Sequence, residues 1–264
     1  MARNSLNNIK ALIDNAKQKQ SPEQAFLTDL KRSVEMTGSK NKRKPSKFYK
    51  PSSMNCIRQM FYVRVGKKVD EGGSSFESWG ICNAGTDAHE RIQVAVSQMI
   101  QNGIDCAYID VAEFVKQRKL NHLKIVRQEG METHLHHKDL NLSFLCDGII
   151  RYEGHYYILE IKTESASKFY SREDVDPSHY KQAIAYSTAF GIDEVMFLYV
   201  NRDTFGTKTF IYKVTDDMKH GFVALIDECE SYVKKLIAPP KPSNVAKKTC
   251  EYCNYREYCR KEMV

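Results

Sequence analysis

The stretch Leu145-Cys-Asp-Gly-Ile-Ile-Arg-Tyr-Glu-Gly-His-Tyr-Tyr-Ile-Leu-Glu-Ile-Lys162 decides how this 264-residue chain is read. It reads as two apolar strands joined by a tight turn at Glu153-Gly154, because glycine supplies the positive φ that a two-residue hairpin loop requires. With those two residues as the loop, Tyr152 pairs with His155. Continued back along both strands, that register sets Asp147 directly opposite Glu160, with both side chains on one face. Lys162 lies two residues further on and shares the face. Facing carboxylates destabilise a sheet, so the arrangement calls for a cation between them. Ile149, Ile150, Ile158, Leu159 and Ile161 make both strands apolar on both faces, which predicts the centre of a sheet rather than an edge. Carboxylates and a lysine buried there are costly unless partnered. The competing reading, exposed carboxylates with Lys162 as a surface partner, belongs on an edge.

With 42% hydrophobic residues the chain can bury a substantial core in one domain with small attachments. No apolar run approaches about 18 residues, so no membrane span is expected. Met1 to Gln20 is polar without an apolar signal core, so a cytoplasmic location is expected. Eight cysteines in that compartment suggest packing and metal ligation rather than disulfides. The net charge of +7 is uneven. Ten basic residues and no acidic one fall between Gly38 and Val69: Lys40, Lys42, Arg43, Lys44, Lys47, Lys50, Arg58, Arg64, Lys67 and Lys68. Interleaved with Phe48, Tyr49, Phe61 and Tyr62, they suit a phosphate backbone and stacked bases. Lys40, Lys42, Arg43, Lys44 and Arg58 are the candidate DNA contacts. Gly38-Ser39 and Pro45-Ser46 equally suit a solvated basic linker.

Residues 1–51 read as a helical and basic N-terminal extension, 52–238 as the core, and 239–264 as a cysteine-rich segment. Ser21-Pro22-Glu23-Gln24 is a helix start, and a linker follows from residue 37. Ser52 or Ser53 is expected to cap a short helix carrying Cys56 to Arg64. After a break at Gly72-Gly73, a helix is predicted over 85–99, with Ala88, Ile92, Ala95, Val96 and Met99 on its apolar face. Strands are predicted near 107–114, 124–135, 143–151 and 156–162, then a helix at 178–190, strands at 194–201 and 208–214, and a helix at 216–237. This order is an α/β pattern in which strand ends and adjoining helices build one site.

Two carboxylates plus a lysine suit phosphodiester hydrolysis, with the carboxylates holding a divalent cation and the lysine offsetting charge or orienting water. Mg²⁺ and Mn²⁺ both accept oxygen ligands. These residues resemble the PD-(D/E)XK nuclease superfamily: Asp147 on one strand, then Glu160-Ile161-Lys162 on the next. Gly85-Thr-Asp-Ala-His89-Glu is similar to the first motif of its RecB-like exonucleases, and Gln182-Ala-Ile-Ala-Tyr186 to their Gln-x-x-x-Tyr motif. Gln182 and Tyr186, four apart, share a helix face. The resemblance implies a restriction-endonuclease-like core, a central mixed sheet flanked by helices, and a metal-dependent deoxyribonuclease acting on DNA ends or single strands. It implies His89, Asp147, Glu160 and the Ile161 carbonyl as ligands of Mg²⁺ or Mn²⁺, Lys162 as catalytic, and Gln182 and Tyr186 as positioning groups. Cys146 stands where the superfamily's name implies proline. A structure-specific endonuclease on the same fold and a non-catalytic nucleic-acid-binding adaptor are the alternatives. With no G-x-x-x-x-G-K-[ST] in the chain, any unwinding would come from a helicase or recombination partner.

Cys250-Glu-Tyr-Cys253-Asn-Tyr-Arg-Glu-Tyr-Cys259 has metal-ligand spacing but one ligand too few. The resemblance to AddB-type and CRISPR-associated exonucleases implies an upstream Cys56 as the fourth ligand of a [4Fe-4S] cluster. Zn²⁺ at the same four cysteines is the alternative. Cys82, Cys106, Cys146 and Cys229 read as small core residues, and His134, His136 and His137 as surface residues on a strand.

Overall fold

The computed structural model describes residues 21–40, 46–69 and 75–261, less the side chains of Ser39 and Lys40. Along the chain come α1 (Pro22–Lys40), α2 (Ile57–Arg64), α3 (Phe76–Gln98), β1 (Cys106–Ile109), α4 (Val111–Gln117), β2 (Leu123–Glu129), β3 (Glu132–His137), β4 (Leu142–Cys146), β5 (Gly148–Tyr152), β6 (His155–Glu164), α5 (Ala166–Tyr170), α6 (Tyr180–Phe190), β7 (Glu194–Asn201), β8 (Thr207–Lys213), α7 (Asp216–Lys235), α8 (Lys247–Glu251) and α9 (Arg256–Lys261).

Two compact units are present. The smaller contains α1 and residues 76–82. There Ser21 Oγ accepts from Gln24 N at 3.4 Å, the capping interaction expected of a serine before proline. Lys31 pairs with Glu77 at 2.8 Å. α1 runs on through Gly38 to Lys40, past the expected start of the linker. Residues 1–20, the basic stretch with Lys42, Arg43 and Lys44, and the Gly72-Gly73 break lie outside the described residues.

The larger unit joins the segment from Lys44 to Glu71 with everything from Asn83 onward, so the cysteine-rich C-terminal segment and residues 46–51 belong to the same unit as the core. It is an α/β structure. A five-stranded mixed sheet has the order β1-β5-β6-β7-β8, and a three-stranded sheet the order β2-β3-β4. β6 and β7 run parallel and the other pairs antiparallel. The hairpin register is the expected one, from Tyr152↔His155 to Gly148↔Leu159. Both loop residues are left-handed, Glu153 at φ 48° and Gly154 at φ 82°. β6 lies mid-sheet. Ile149 and Ile158 enter one buried cluster, while Ile150, Leu159 and Ile161 enter another, so both faces of this hairpin are covered.

The strand expected over 143–151 is in fact two, broken at Asp147: β4 belongs to the small sheet and β5 to the large one. The chain is closely packed at the break. A Cβ there would meet the Tyr108 ring at 2.5 Å, and the Tyr108 hydroxyl is held 2.9 Å from the Asp147 carbonyl and 2.8 Å from that of Met131. Gly148→Ala should therefore cost about 1–3 kcal/mol by overpacking, read as a lower urea midpoint. An unchanged midpoint would show that the ring moves freely.

Other expectations shift for local reasons. The strand predicted over 107–114 ends at Ile109, because Asp110 caps α4 by accepting from Glu113 N at 2.8 Å. The strand predicted over 124–135 is a hairpin turned at Gly130, φ 58°. α3 starts well before Gly85, and its Ala95 is exposed. Cys56 itself, rather than Ser52 or Ser53, occupies the N-cap of α2. Leu236 takes a left-handed C-cap after α7 and is 77% exposed. Cys82 is exposed, and His137 is buried, accepting from Leu140 N.

Candidate active site

Asp147 sits where the chain passes from one sheet to the other. The β5–β6 ladder stops at Gly148↔Leu159. Beyond it the Asp147 side chain takes over: Oδ2 accepts from Ile161 N at 2.7 Å. Asp147 is thus tied to β6 by its carboxylate rather than as a ladder residue facing Glu160. Because the strand ends there, groups from both faces of the large sheet can reach it.

From one face comes α3. Gly85 lets that helix lie close to β6, since a Cβ would stand 3.2 Å from Thr163 Oγ1. One turn later His89 Nδ1 lies 3.2 Å from Asp147 Oδ1. A further turn brings Gln93, buried, whose Nε2 donates to the Asp147 carbonyl at 2.6 Å. From the other face comes α6. Lys162 Nζ donates to Glu160 Oε1 at 2.6 Å and to Gln182 Oε1 at 2.8 Å. Gln182 Nε2 donates to Glu160 Oε1 at 2.6 Å and to the Tyr186 hydroxyl at 2.7 Å. That hydroxyl donates to the Leu145 carbonyl at 2.6 Å. Gln182 and Tyr186, four residues apart, therefore work as one unit.

The carboxylates form the floor and the bases the rim. Asp147 is 4% and Glu160 3% exposed, against side-chain exposures of 29% for His89 and 21% for Lys162. Burial pushes the Glu160 carboxyl up to about 7, with Asp147 adding to the rise while Lys162 and His89 oppose it. Burial alone would lower His89, but the hydrogen bond and charge of Asp147, with Glu160, outweigh it and raise the imidazole. Glu160 Oε2 is buried with no hydrogen-bond partner. A buried carboxylate oxygen left bare is costly and marks a place for a cation. Among the described residues no group of three or more His, Cys, Asp or Glu side chains stands at metal-holding distances; here His89 and Lys162 supply the compensating charge.

No family model and no curated protein matches this chain. Among solved structures, one named "Crystal structure of SSO0001" matches with a TM-score of 0.46 and 12% identity, over 88% of this chain and 96% of that one.

Gln93 and Tyr108 hold the Asp147 backbone and are absent from the sequence-derived site. Gln93 had a signal, being four residues after His89 on the same helix. Tyr108 had none, since only sheet pairing brings β1 beside β5.

The four cysteines of the second candidate site share one cavity, although no three of them stand at metal-holding distances. Cys56, Cys250, Cys253 and Cys259 line one cavity of about 420 Å³, with Arg58, Lys241, Lys247, Arg256 and Arg260 and one acidic residue, Glu251, around them. Burial raises the Cys56 and Cys253 thiols, and the neighbouring cysteines add to the rise. Tyr62 of α2 packs on Tyr255 and Tyr258 with ring centroids 5.7 and 6.1 Å away, joining the two halves of the cavity.

The basic, aromatic segment is largely core. Tyr49, Phe61 and Tyr62 are buried, and Phe48 stacks on His136 at 4.1 Å. None of the buried three can take a base. Arg58 is 6% exposed, and its guanidinium donates to the Pro239 carbonyl at 2.7 Å and to the Tyr62 hydroxyl at 3.1 Å. It is a clamp inside the fold, not a surface DNA contact. Arg64 pairs with Glu230 at 2.6 Å. Lys47, Lys50, Lys67 and Lys68 are exposed. Arg58→Ala should lower stability by about 1–3 kcal/mol through orphaned buried groups, read as a lower urea midpoint. The salt dependence of any DNA binding should stay as it was, and a flattened salt slope would restore Arg58 as a phosphate contact.

Proposed function

We propose that this protein is a metal-dependent DNA nuclease of the PD-(D/E)XK superfamily, a RecB-like exonuclease on a restriction-endonuclease-like core. The observation that carries this reading is the meeting of His89, Asp147, Glu160 and Lys162 at the break between the two sheets, with Glu160 Oε2 buried and bare. Carboxylate oxygens with one imidazole suit Mn²⁺ or Mg²⁺. His89, Asp147, Glu160 and the Ile161 carbonyl would hold the ion, which when bound supplies positive charge for the scissile phosphate and a more acidic water. The chain's own groups do the rest. Lys162, fixed between Glu160 and Gln182, offsets charge on the phosphate or orients the attacking water. Gln182 holds the Lys162 rotamer and is itself held by Tyr186, whose hydroxyl donates to the Leu145 carbonyl. Gln93 and Tyr108 keep the Asp147 backbone in place.

The four-cysteine cavity fits a thiolate-ligated centre. Four thiolates around a [4Fe-4S]²⁺ core or Zn²⁺ carry net negative charge, and the cationic rim suits it. We read the centre as [4Fe-4S].

The test is a digest of end-labelled linear and of circular single-stranded DNA with Mn²⁺ or Mg²⁺. Loss of the linear substrate with the circle intact is the expected result. Cleavage of both would make the enzyme an endonuclease, and survival of both would overturn the nuclease reading.

A further inference from the structure

Asp147 has a second acidic neighbour beside Glu160. In the small sheet, β3 pairs with β4 down to Thr133↔Cys146. One step further that register sets Glu132 beside Asp147, on the flank away from Glu160. Backbone geometry independently brings the two segments together: the Tyr108 hydroxyl lies 2.8 Å from the Met131 carbonyl and 2.9 Å from that of Asp147. Thr133 and Cys146 are wholly buried. Strand alternation turns Glu132 to the opposite side, where it is half-buried. Burial raises the Glu132 carboxyl, Asp147 raises it further, and His89 and Arg127 draw it back, so it lies within electrostatic reach of the centre. Arg127, on the facing strand, pairs with Glu129 at 3.2 Å instead.

A carboxylate kept half-buried near another carboxylate raises the free energy of the cation-free fold. A divalent ion reverses that sign. The bare, buried Glu160 Oε2 on the other flank points to the same ligand class.

We propose that Glu132 is a third carboxylate of the Asp147 centre and takes part in holding a divalent cation there. The proposal rests on the nuclease reading for the use of that cation, but not for its binding. It predicts an oxygen-rich site spanning the two sheets, with Asp147 shared between Glu132 on the small sheet and Glu160 on the large one.

The experiment is a Mn²⁺ titration of the full chain followed by electron paramagnetic resonance, alongside the Mn²⁺ dependence of DNA cleavage. Wild type, Glu132→Gln and Glu129→Gln are compared. Glu129 pairs with Glu132 across β2 and β3 and carries the same charge at the exposed end of the hairpin. Glu132→Gln should weaken Mn²⁺ binding about 10-fold or more, the scale of a lost supporting group at a metal site. The Mn²⁺ needed for half-maximal cleavage should rise in parallel. Glu129→Gln should leave both near wild type. Unchanged Mn²⁺ affinity in Glu132→Gln, or equal weakening in both variants, overturns the assignment. If wild type cleaves DNA and Glu132→Gln binds Mn²⁺ normally, the inference falls and the nuclease stands. If Glu132-dependent Mn²⁺ binding occurs without cleavage, the nuclease falls and the inference stands. A wild type that binds no Mn²⁺ removes both.

Discussion

Asp147→Ala and Glu160→Ala, each made alone, should abolish degradation of labelled DNA, a loss of at least about 100-fold, the scale on which single electrostatic groups act in catalysis. The reason is geometric. Asp147 is fixed by the Ile161 N–H, and Glu160 is fixed through one oxygen by Lys162 and Gln182, leaving the other for a ligand. A fold defect would also abolish activity, so stability must be measured beside it. The folded chain holds a proton on Glu160 up to about pH 7, whereas the unfolded chain releases it near the usual 4.5. Stability of the cation-free protein should therefore fall as pH rises through that window. Glu160→Gln, neutral throughout, should flatten that fall while still losing cleavage. Full activity in either alanine variant would remove the residue from the site, and an unflattened pH profile in Glu160→Gln would mean that Glu160 ionises normally in its buried place.

Local rules reached some parts of this molecule and not others. The hairpin was legible because Glu153-Gly154 allows few geometries, and an apolar strand with covered faces has one stable register. That register places Glu160 and Lys162 on one face of β6, whereas Asp147 lies beyond the ladder and is tied to β6 through its side chain. The Gln182–Tyr186 pair was legible from helical spacing, as was the start of α1 from Ser21-Pro22. What sequence could not carry was the break at Asp147. Within the run from Leu142 to Tyr152 only Asp147-Gly148 is disfavoured in a strand, and sequence alone does not show that the segments on its two sides join different sheets. The same limit hid Glu132, whose relevance comes from a register in a sheet that composition does not reveal. The basic segment erred in the opposite direction. Counting Arg58, Phe61 and Tyr62 as ligand-facing ignored that an eight-residue helix with six buried positions is a core element, whose arginine is retained by a carbonyl rather than by a phosphate.

The four cysteines give the largest expected effect on stability. Cys56 sits at the start of α2 and the other three lie on the C-terminal segment, yet all four line one cavity. A centre bound there closes a loop that contains the whole sheet system, so its binding free energy is folding free energy. Cys56→Ala should lower stability by more than about 4 kcal/mol, a size reached only by a few mechanisms, of which loss of a metal is one. Cys82→Ala, at an exposed cysteine, should change little. Protein purified without air should be brown, with broad absorption near about 400 nm from a thiolate-ligated iron–sulfur centre. EDTA should stop DNA cleavage without bleaching that colour, because the carboxylate site and the thiolate site share no ligand. Colourless protein with one zinc per chain would replace iron–sulfur by zinc and keep the stability prediction. Colourless, metal-free protein in which Cys56→Ala is as stable as wild type would leave the cavity a packing defect lined by thiols.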